Sequence, residues 1–139
     1  MKKVFLPFIY ISLLLLVSCS SSKVRNNADS LTANQWDLVA VSGKVFDAGA
    51  VKSGIPFLMF STGNGFTGNT GCNTFTGSYK LENGKLTLDP GAITKMFCAD
   101  VPETEFLSAL RQTTGYKITG SELLLLNGTT ELMKLIPKK

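Results

Sequence analysis

The residues best suited to chemistry in this chain are a glycine-rich run and a pair of cysteines beyond it. Gly63, Gly65 and Gly68 match the pattern G-x-G-x-x-G, typical of a loop that cradles a dinucleotide phosphate. Such a loop needs a buried strand before it and a helix after it. Pro56–Phe60 fits the strand, but Asn69–Thr74 is poor in helix formers. We therefore interpret the glycines as turn and bulge residues of a hairpin, and expect no nucleotide and no cofactor.

Catalysis has little support in the composition. The chain contains no histidine, so it lacks the commonest general acid–base group and any Ser-His-Asp or Cys-His pair. A metal would need cysteine and carboxylate ligands alone, without Cys-x-x-Cys spacing, and we expect none. The carboxylates include Asp37, Asp47, Glu103 and Glu105, which fall in predicted turns or on an exposed helix turn, where charges are usually solvated. We expect no catalytic residues, and a hydrolase or redox enzyme is the less favoured alternative.

The N-terminus has the pattern of an export signal. Two lysines precede an apolar run, Val4–Val17, which is too short to span a bilayer. The run ends in Leu16-Val17-Ser18-Cys19, which resembles a bacterial lipobox. The resemblance implies a signal peptide over residues 1–18, lipidation of Cys19 and attachment to a membrane through its acyl chains. An ordinary signal peptide with an incidental cysteine, or an uncleaved anchor, is the alternative.

Residues 19–34 are predicted to form the lipidated start and a flexible tether, because Ser20–Ser30 is polar and without periodicity. Cys19 is followed by serine, and no acidic residue comes before Asp29, which resembles lipoproteins of the bacterial envelope that are anchored in the outer membrane and face the periplasm. Removing Lys2 and Lys3 with the signal lowers the formal charge from +4 to +2. The mature chain then has no basic cluster suited to a nucleic acid.

Cys72 and Cys98 are the thiols that remain beyond Cys19. In an oxidising compartment, two cysteines in one small domain are most simply a disulfide. Two buried free thiols or a redox pair are the alternatives, and Lys95 near Cys98 keeps the redox interpretation open. The sequence favours the structural bridge, because nothing basic lies beside Cys72.

Residues 35–137 are predicted to form one α+β domain that is mainly β, a curled antiparallel sheet with one packed helix. Asn-Gly pairs at residues 64–65, 83–84 and 127–128 indicate hairpin turns, and Asp89-Pro90-Gly91 indicates another turn. A helix is predicted from Asp100, as N-cap, with Glu103 as its capping-box partner, to about Gln112. The predicted strands are Trp36–Val41, Pro56–Phe60, Gly65–Asn69, Thr74–Leu81, Lys85–Leu88, Ile93–Phe97, Tyr116–Ile118, Glu122–Leu126 and Glu131–Ile136.

Several motifs along this domain resemble the META domain family. The resemblance covers about Gln35 to Ile136, and two residues depart from it, since many members have arginine at Lys95 and alanine at Phe97. It implies a β-rich domain of lipocalin-like, barrel-like topology with a helix, often exported and lipid-anchored, in a family linked to heat shock and without established catalytic residues. The matching residues include Trp36, Gly71, Cys72, Asn73, Gly77, Tyr79, Thr94, Met96, Cys98 and Glu105.

Taken together, these patterns predict a non-catalytic envelope lipoprotein that faces the periplasm. We expect it to bind another envelope protein, of unknown identity, and to support envelope integrity under stress. A carrier or sensor of a small hydrophobic ligand is the alternative, because the apolar strands Phe57–Phe60 and Leu123–Leu126 could line a barrel-like interior. A filled core is the simpler interpretation of the same strands, since a domain of this size has little interior to spare.

Overall fold

The computed structural model describes residues 27–49 and 54–139. The predicted signal peptide, Cys19 and the first part of the expected tether lie outside these residues. Neither helix of the described part has the length and apolar character of a membrane span. The elements are α1 (Asn27–Thr32), β1 (Gln35–Val41), β2 (Lys44–Val45), β3 (Phe57–Phe60), β4 (Gly65–Asn69), β5 (Thr74–Glu82), β6 (Lys85–Ile93), α2 (Glu103–Gln112), β7 (Gly115–Thr119), β8 (Glu122–Asn127) and β9 (Thr130–Pro137).

The strands form one antiparallel sheet of nine strands, in the order β6-β5-β4-β3-β1-β9-β8-β7, with β2 paired to β1 alone. The sheet is curled but not closed, because β6 and β7 are its two edges and do not pair in the described residues. The predicted class, α+β and mainly β with a curled antiparallel sheet and a packed helix, is therefore confirmed.

The core lies inside the curl. Alternate residues of each strand point inward, as in β8, where Leu123 and Leu125 are fully buried while Leu124 and Leu126 are half-buried. The four consecutive leucines of β8 are thus fully covered on one face of the strand only. A row of aromatic rings connects the sheet to α2, with centroids 5.6, 5.5 and 6.2 Å apart along Phe60, Phe66, Phe75 and Phe106.

The helix α2 crosses the end of the curled sheet at which β1 ends. It connects β6 to β7, and its residues Phe106, Ala109 and Leu110 are buried against the sheet. Its first turn lies beside the β1–β2 hairpin, since Pro102 and Glu105 line the same groove as Val41. We call this the helix end of the domain.

A second helix, α1, was not predicted and lies at the other end of the sheet. Its Leu31 is fully buried, and the indole Nε1 of Trp36 donates a hydrogen bond of 2.9 Å to the carbonyl oxygen of Leu31. The last part of the expected tether is therefore packed onto the domain. The contact depends on one buried leucine and one indole donor, and this is too little to predict a packed helix from a polar stretch of sequence.

The predicted hairpins are present, but only one of the three Asn-Gly pairs supplies both residues of its turn. Asn83 and Gly84 have φ of 52° and 77°, as a two-residue type I′ turn between β5 and β6 requires. In the other two pairs, Gly65 is already the first residue of β4 and Asn127 is the last residue of β8. The turns there are shifted by one residue from the dipeptide.

The predicted strand Ile93–Phe97 and the turn at Asp89-Pro90-Gly91 are both wrong. β6 continues through the Asp-Pro-Gly residues to Ile93, and the register between β5 and β6 shifts near Gly77. Pro90 is tolerated because β6 is an edge strand, where a missing N–H leaves no neighbour unpaired. Gly91, at φ 59°, completes the bulge, and its N–H donates to Asp89 Oδ1 at 3.0 Å.

Gly77 makes this bulge possible. A Cβ atom at position 77 would overlap the carbonyl oxygen of Asp89 and the backbone of Pro90, neither of which can rotate away. We expect Gly77→Ala to lower the free energy of unfolding by about 2 kcal/mol or more, measured by urea denaturation. Gly65→Ala is the matched control, because a Cβ there meets nothing within 4 Å. Equal stability of the two variants would contradict the close approach of the two backbones.

Candidate functional site

The glycine-rich run forms the β3–β4 hairpin and its following strand. Gly63 and Asn64 occupy the turn with φ of 93° and 69°, and the N–H of Ser61 donates to Gly65 O at 2.8 Å. The residues after the turn are strand β4, not a helix, so the run has no helix N-terminus for a pyrophosphate. The hairpin interpretation of these glycines is confirmed.

The Gly71-Cys72-Asn73 block forms a tight turn between β4 and β5. Gly71 has φ of 92°, and the N–H of Thr70 donates to Asn73 O at 2.9 Å. The hydroxyl of Thr70 accepts a hydrogen bond of 2.9 Å from the N–H of Asn73. Thr70, Gly71, Cys72 and Asn73 are all buried, so this turn is directed into the protein.

The side-chain amide of Asn73 joins three parts of the chain. Its Nδ2 donates to Met96 O at 3.0 Å and to both carboxylate oxygens of Glu103, at 2.9 and 3.1 Å. Its Oδ1 accepts from Met96 N at 2.7 Å and from Thr94 Oγ1 at 2.9 Å. We call Thr70, Asn73, Thr94 and Glu103 the polar brace.

Glu103 was expected to be a solvated carboxylate and a capping-box partner of Asp100, and both expectations are wrong. Pro102 occupies the N-cap position, and no side chain caps α2. The Glu103 carboxylate is half-buried and accepts from Thr70 Oγ1 at 2.9 Å as well as from Asn73. Its position in the first turn of α2 is also favourable, because the helix dipole stabilises negative charge there. The sequence gives little indication of this contact beyond a threonine and an asparagine close to Cys72.

Cys72 and Cys98 form a disulfide, with an S–S distance of 2.01 Å and a Cα–Cα distance of 5.8 Å. The bridge connects the buried turn to the segment between β6 and α2. The structural bridge predicted from the sequence is therefore confirmed over the free-thiol interpretation.

The segment after β6 is held at Thr94, Met96 and Cys98 but presents its side chains outward. Lys95, Met96 and Phe97 are exposed, beside a groove of about 420 Å³. The groove is also lined by Ile93, Leu107 and three residues of the polar brace, Asn73, Thr94 and Glu103. A second groove, of about 340 Å³, lies on the other side of the first turn of α2, between Val45 and Pro102. Glu105 lines this second groove and forms no hydrogen bond with the brace in the described residues.

The remaining motif residues lie apart from the brace and support the core. Trp36 is buried against α1, and Gly77 packs against β6. Tyr79 is buried and donates from its hydroxyl to Ser61 O at 3.0 Å, with its ring edge on Phe60. Most of the motif residues thus belong to the brace and disulfide at the helix end or pack in the core, whereas the side chains of Met96 and Glu105 are exposed.

Tyr116 on β7 is an exception to the well-paired polar groups. Its hydroxyl is buried and has no hydrogen-bond partner among the described residues. Burial raises the pKa of the Tyr116 phenol above its ordinary value of 10.0, and the neighbouring Tyr79 phenol adds to the effect. An unpaired buried hydroxyl costs stability, so this position calls for an explanation.

These contacts define a class of protein. It is a curled β domain in which a disulfide and a buried side-chain amide hold the helix α2 and an exposed loop in place. The chain belongs to the META domain family, whose profile matches residues 29–139. It is 33% identical over 100 residues to the protein named heat shock protein HslJ of Escherichia coli, a match that covers 72% of this chain and 68% of that one.

Solved structures have the same fold. An NMR structure of a protein from Burkholderia xenovorans is 27% identical, with a TM-score of 0.57, over 81% of this chain and 86% of that one. A crystal structure of a DUF4847 family protein from Bacteroides vulgatus has a TM-score of 0.62 over 82% of this chain and 99% of that one. It is 15% identical, so this second likeness concerns the fold alone.

The brace predicts a pH-dependent variant. In Asn73→Asp an oxygen replaces the donor that faces the Glu103 carboxylate, so we expect a loss of about 2 kcal/mol or more in unfolding free energy at pH 7. Repulsion raises the pKa of this carboxyl pair in the folded state, so stability relative to wild type is regained below about pH 5 and lost as the pH rises. Urea denaturation at pH 4.5 and 7.5 measures both effects.

The control for this prediction is Asn69→Asp. Among the described residues, the Asn69 side chain takes part in one hydrogen bond, which its Oδ1 accepts from Gly71 N. This variant keeps its acceptor oxygen, and we expect a small loss without recovery in acid. If Asn73→Asp and Asn69→Asp behave alike at both pH values, the contact between Asn73 and Glu103 does not stabilise the fold.

Removal of the hydroxyl is predicted to have opposite effects at Tyr79 and at Tyr116. Tyr79→Phe loses a hydrogen bond and should destabilise by about 1 kcal/mol, whereas Tyr116→Phe should be neutral or stabilising at pH 7. Because the folded pKa of Tyr116 is raised, the unfolded state loses its proton first, and stability falls as the pH rises above about 10. Tyr116→Phe should remove part of this alkaline loss, measured by thermal unfolding between pH 8 and 11. A destabilised Tyr116→Phe at pH 7 would mean that its hydroxyl has a partner in solution.

Proposed function

We propose that this protein is a non-catalytic lipoprotein of the bacterial envelope that faces the periplasm and supports envelope integrity under stress by binding another envelope protein. The observation that carries the proposal is the polar brace. The polar side chains of the brace bond to one another and to the backbone, since Asn73 bonds to the side chains of Thr94 and Glu103 and to the carbonyl oxygen of Met96. Side chains paired in this way position the chain rather than react with a substrate.

Two further observations support the rest of the proposal. The lipobox-like Leu16-Val17-Ser18-Cys19 is the basis for membrane attachment through Cys19 in the outer membrane. The role under stress comes from the likeness to a relative named as a heat shock protein. Binding to a protein is supported by the exposed apolar residues Met96 and Phe97, because exposed apolar patches of this kind mark interaction surfaces.

The proposal is tested in the native bacterium with a deletion strain and complementing variants. We expect the strain to leak a periplasmic reporter enzyme after heat shock, and the wild-type gene to prevent the leak. Cys19→Ala should fail to do so at equal protein levels, whereas Ser20→Ala, the neighbouring control, should succeed. A lysine-reactive crosslinker in living cells should capture a specific envelope protein. If Cys19→Ala complements fully, the anchor has no role, and if nothing is captured, the interaction does not exist.

A second candidate function is the carriage or sensing of a small hydrophobic ligand. The observation that favours it is the buried, unpaired hydroxyl of Tyr116, which faces the interior of a sheet that does not close. A ligand with one hydrogen-bond acceptor would satisfy this hydroxyl. Native mass spectrometry of the protein purified from its bacterium decides between the two. A bound small molecule that is lost in Tyr116→Phe would favour the carrier, and its absence from the wild type would exclude it.

A further inference from the structure

Exposed apolar side chains are concentrated at the helix end. Of the five large hydrophobic residues that are exposed in the described part of the chain, four lie there, three in loops and Val45 in the short strand β2, and Met59 is the exception. Val45 borders the groove beside the first turn of α2, and Ile55 precedes Pro56, which lies against Gly71. The exposed fractions are 81% for Val45, 41% for Ile55, 59% for Met96 and 96% for Phe97. We call these four residues the helix-end surface.

The exposure of Phe97 is not a consequence of a loose loop. On one side, the backbone N–H and carbonyl of Met96 both bond to Asn73, at 2.7 and 3.0 Å. On the other side, Cys98 is bound covalently to Cys72. The phenylalanine thus projects from a segment that is held on both sides, as a preorganised anchor at a protein interface would be.

Charge at the helix end favours a protein over a phospholipid surface. Among the described residues, the groove beside Val45 is lined by Asp47, Asp100 and Glu105 together with Lys44, and Lys95 stands at the other groove. The acidic residues in this set outnumber the basic ones, which disfavours an anionic membrane at this end. A complementary partner would place lysine or arginine around an apolar pocket.

The position of the expected lipid anchor also favours a protein partner at the helix end. β1 begins beside α1 and ends at the helix end, so a chain anchored at Cys19 enters the domain at the opposite end. A strand of seven residues such as β1 is about 23 Å long, which separates the two ends. The helix-end surface is therefore on the side of the domain away from the tether, where a partner in the periplasm has access.

We propose that the helix-end surface binds a partner protein by inserting Phe97 into an apolar pocket bordered by lysine or arginine side chains. This inference rests on the proposed function and assigns its binding surface. Phe97 is the anchor, Met96 and Val45 extend the apolar contact, and Glu105 and Asp100 pair with the basic border.

The test places a photocrosslinking amino acid, benzoylphenylalanine, at position 97 of the full-length protein in its native bacterium. Thr87, which is exposed on β6, is the control position. We expect one protein adduct from position 97 and none from position 87. The captured protein is then purified, and its affinity is measured for the wild type and for variants.

In that binding assay, Phe97→Ser should weaken binding at least tenfold without lowering the melting temperature, because the side chain is exposed. Glu105→Lys should also weaken binding, with a smaller effect at high salt. Thr87→Ala should bind as the wild type does. Equal affinity of Phe97→Ser and the wild type overturns the inference.

Other occupants of the helix-end surface would give different crosslinked products. An adduct between two copies of this chain, or an adduct with lipid, overturns the inference in favour of a dimer or a membrane surface. The lysine-reactive reagent could capture a partner that benzoylphenylalanine at position 97 does not capture. That result leaves the proposed function intact, overturns the inference and shows that the binding surface lies elsewhere. Failure of both reagents rejects the inference together with the protein-binding part of the proposed function.

Discussion

The arrangement of this domain depends on one buried amide. Asn73 lies in the turn between β4 and β5, and its side chain bonds to the segment after β6 and to the first turn of α2. A buried amide that loses its partners costs about 1–3 kcal/mol, so these three parts of the chain stabilise one another. The disulfide Cys72–Cys98 fixes two of the same parts covalently. In the described residues α2 begins without a side-chain cap, and Glu103 in its first turn connects it to the β4–β5 turn.

The brace matters because the sheet does not close. β6 and β7 are both edges, and α2 is the connection between them, so a helix takes the place of a ladder of hydrogen bonds. Apolar packing through Phe75 and Phe106 holds the middle of α2, and the polar brace holds its start. Pro90, which cannot donate to a neighbouring strand, lies on one of the edges, and this discourages pairing with another chain.

The sequence predicts the sheet better than it predicts the brace. Alternating apolar residues and the Asn83-Gly84 turn are local signals, and they place most of the strands, the helix α2 and the β5–β6 hairpin close to their observed bounds, whereas β2 and α1 are not predicted. The long-range contact of Glu103 with Asn73 has no local signal, so a capping box with Asp100 was expected instead. The end of β6 was misplaced because an Asp-Pro-Gly turn and an Asp-Pro-Gly bulge differ only through Gly77 on the neighbouring strand.

The division of labour between buried and exposed residues bears on function. Stability accounts for Asn73, Glu103 and the disulfide, since each satisfies or constrains another part of the fold. It does not account for Phe97, whose ring contributes almost nothing to the core while it is 96% exposed. Burial of apolar area is the main source of folding stability, and an exposed phenylalanine adds almost nothing to it. Folding therefore explains how the loop is held, and the binding proposed above would explain an aromatic side chain at its tip.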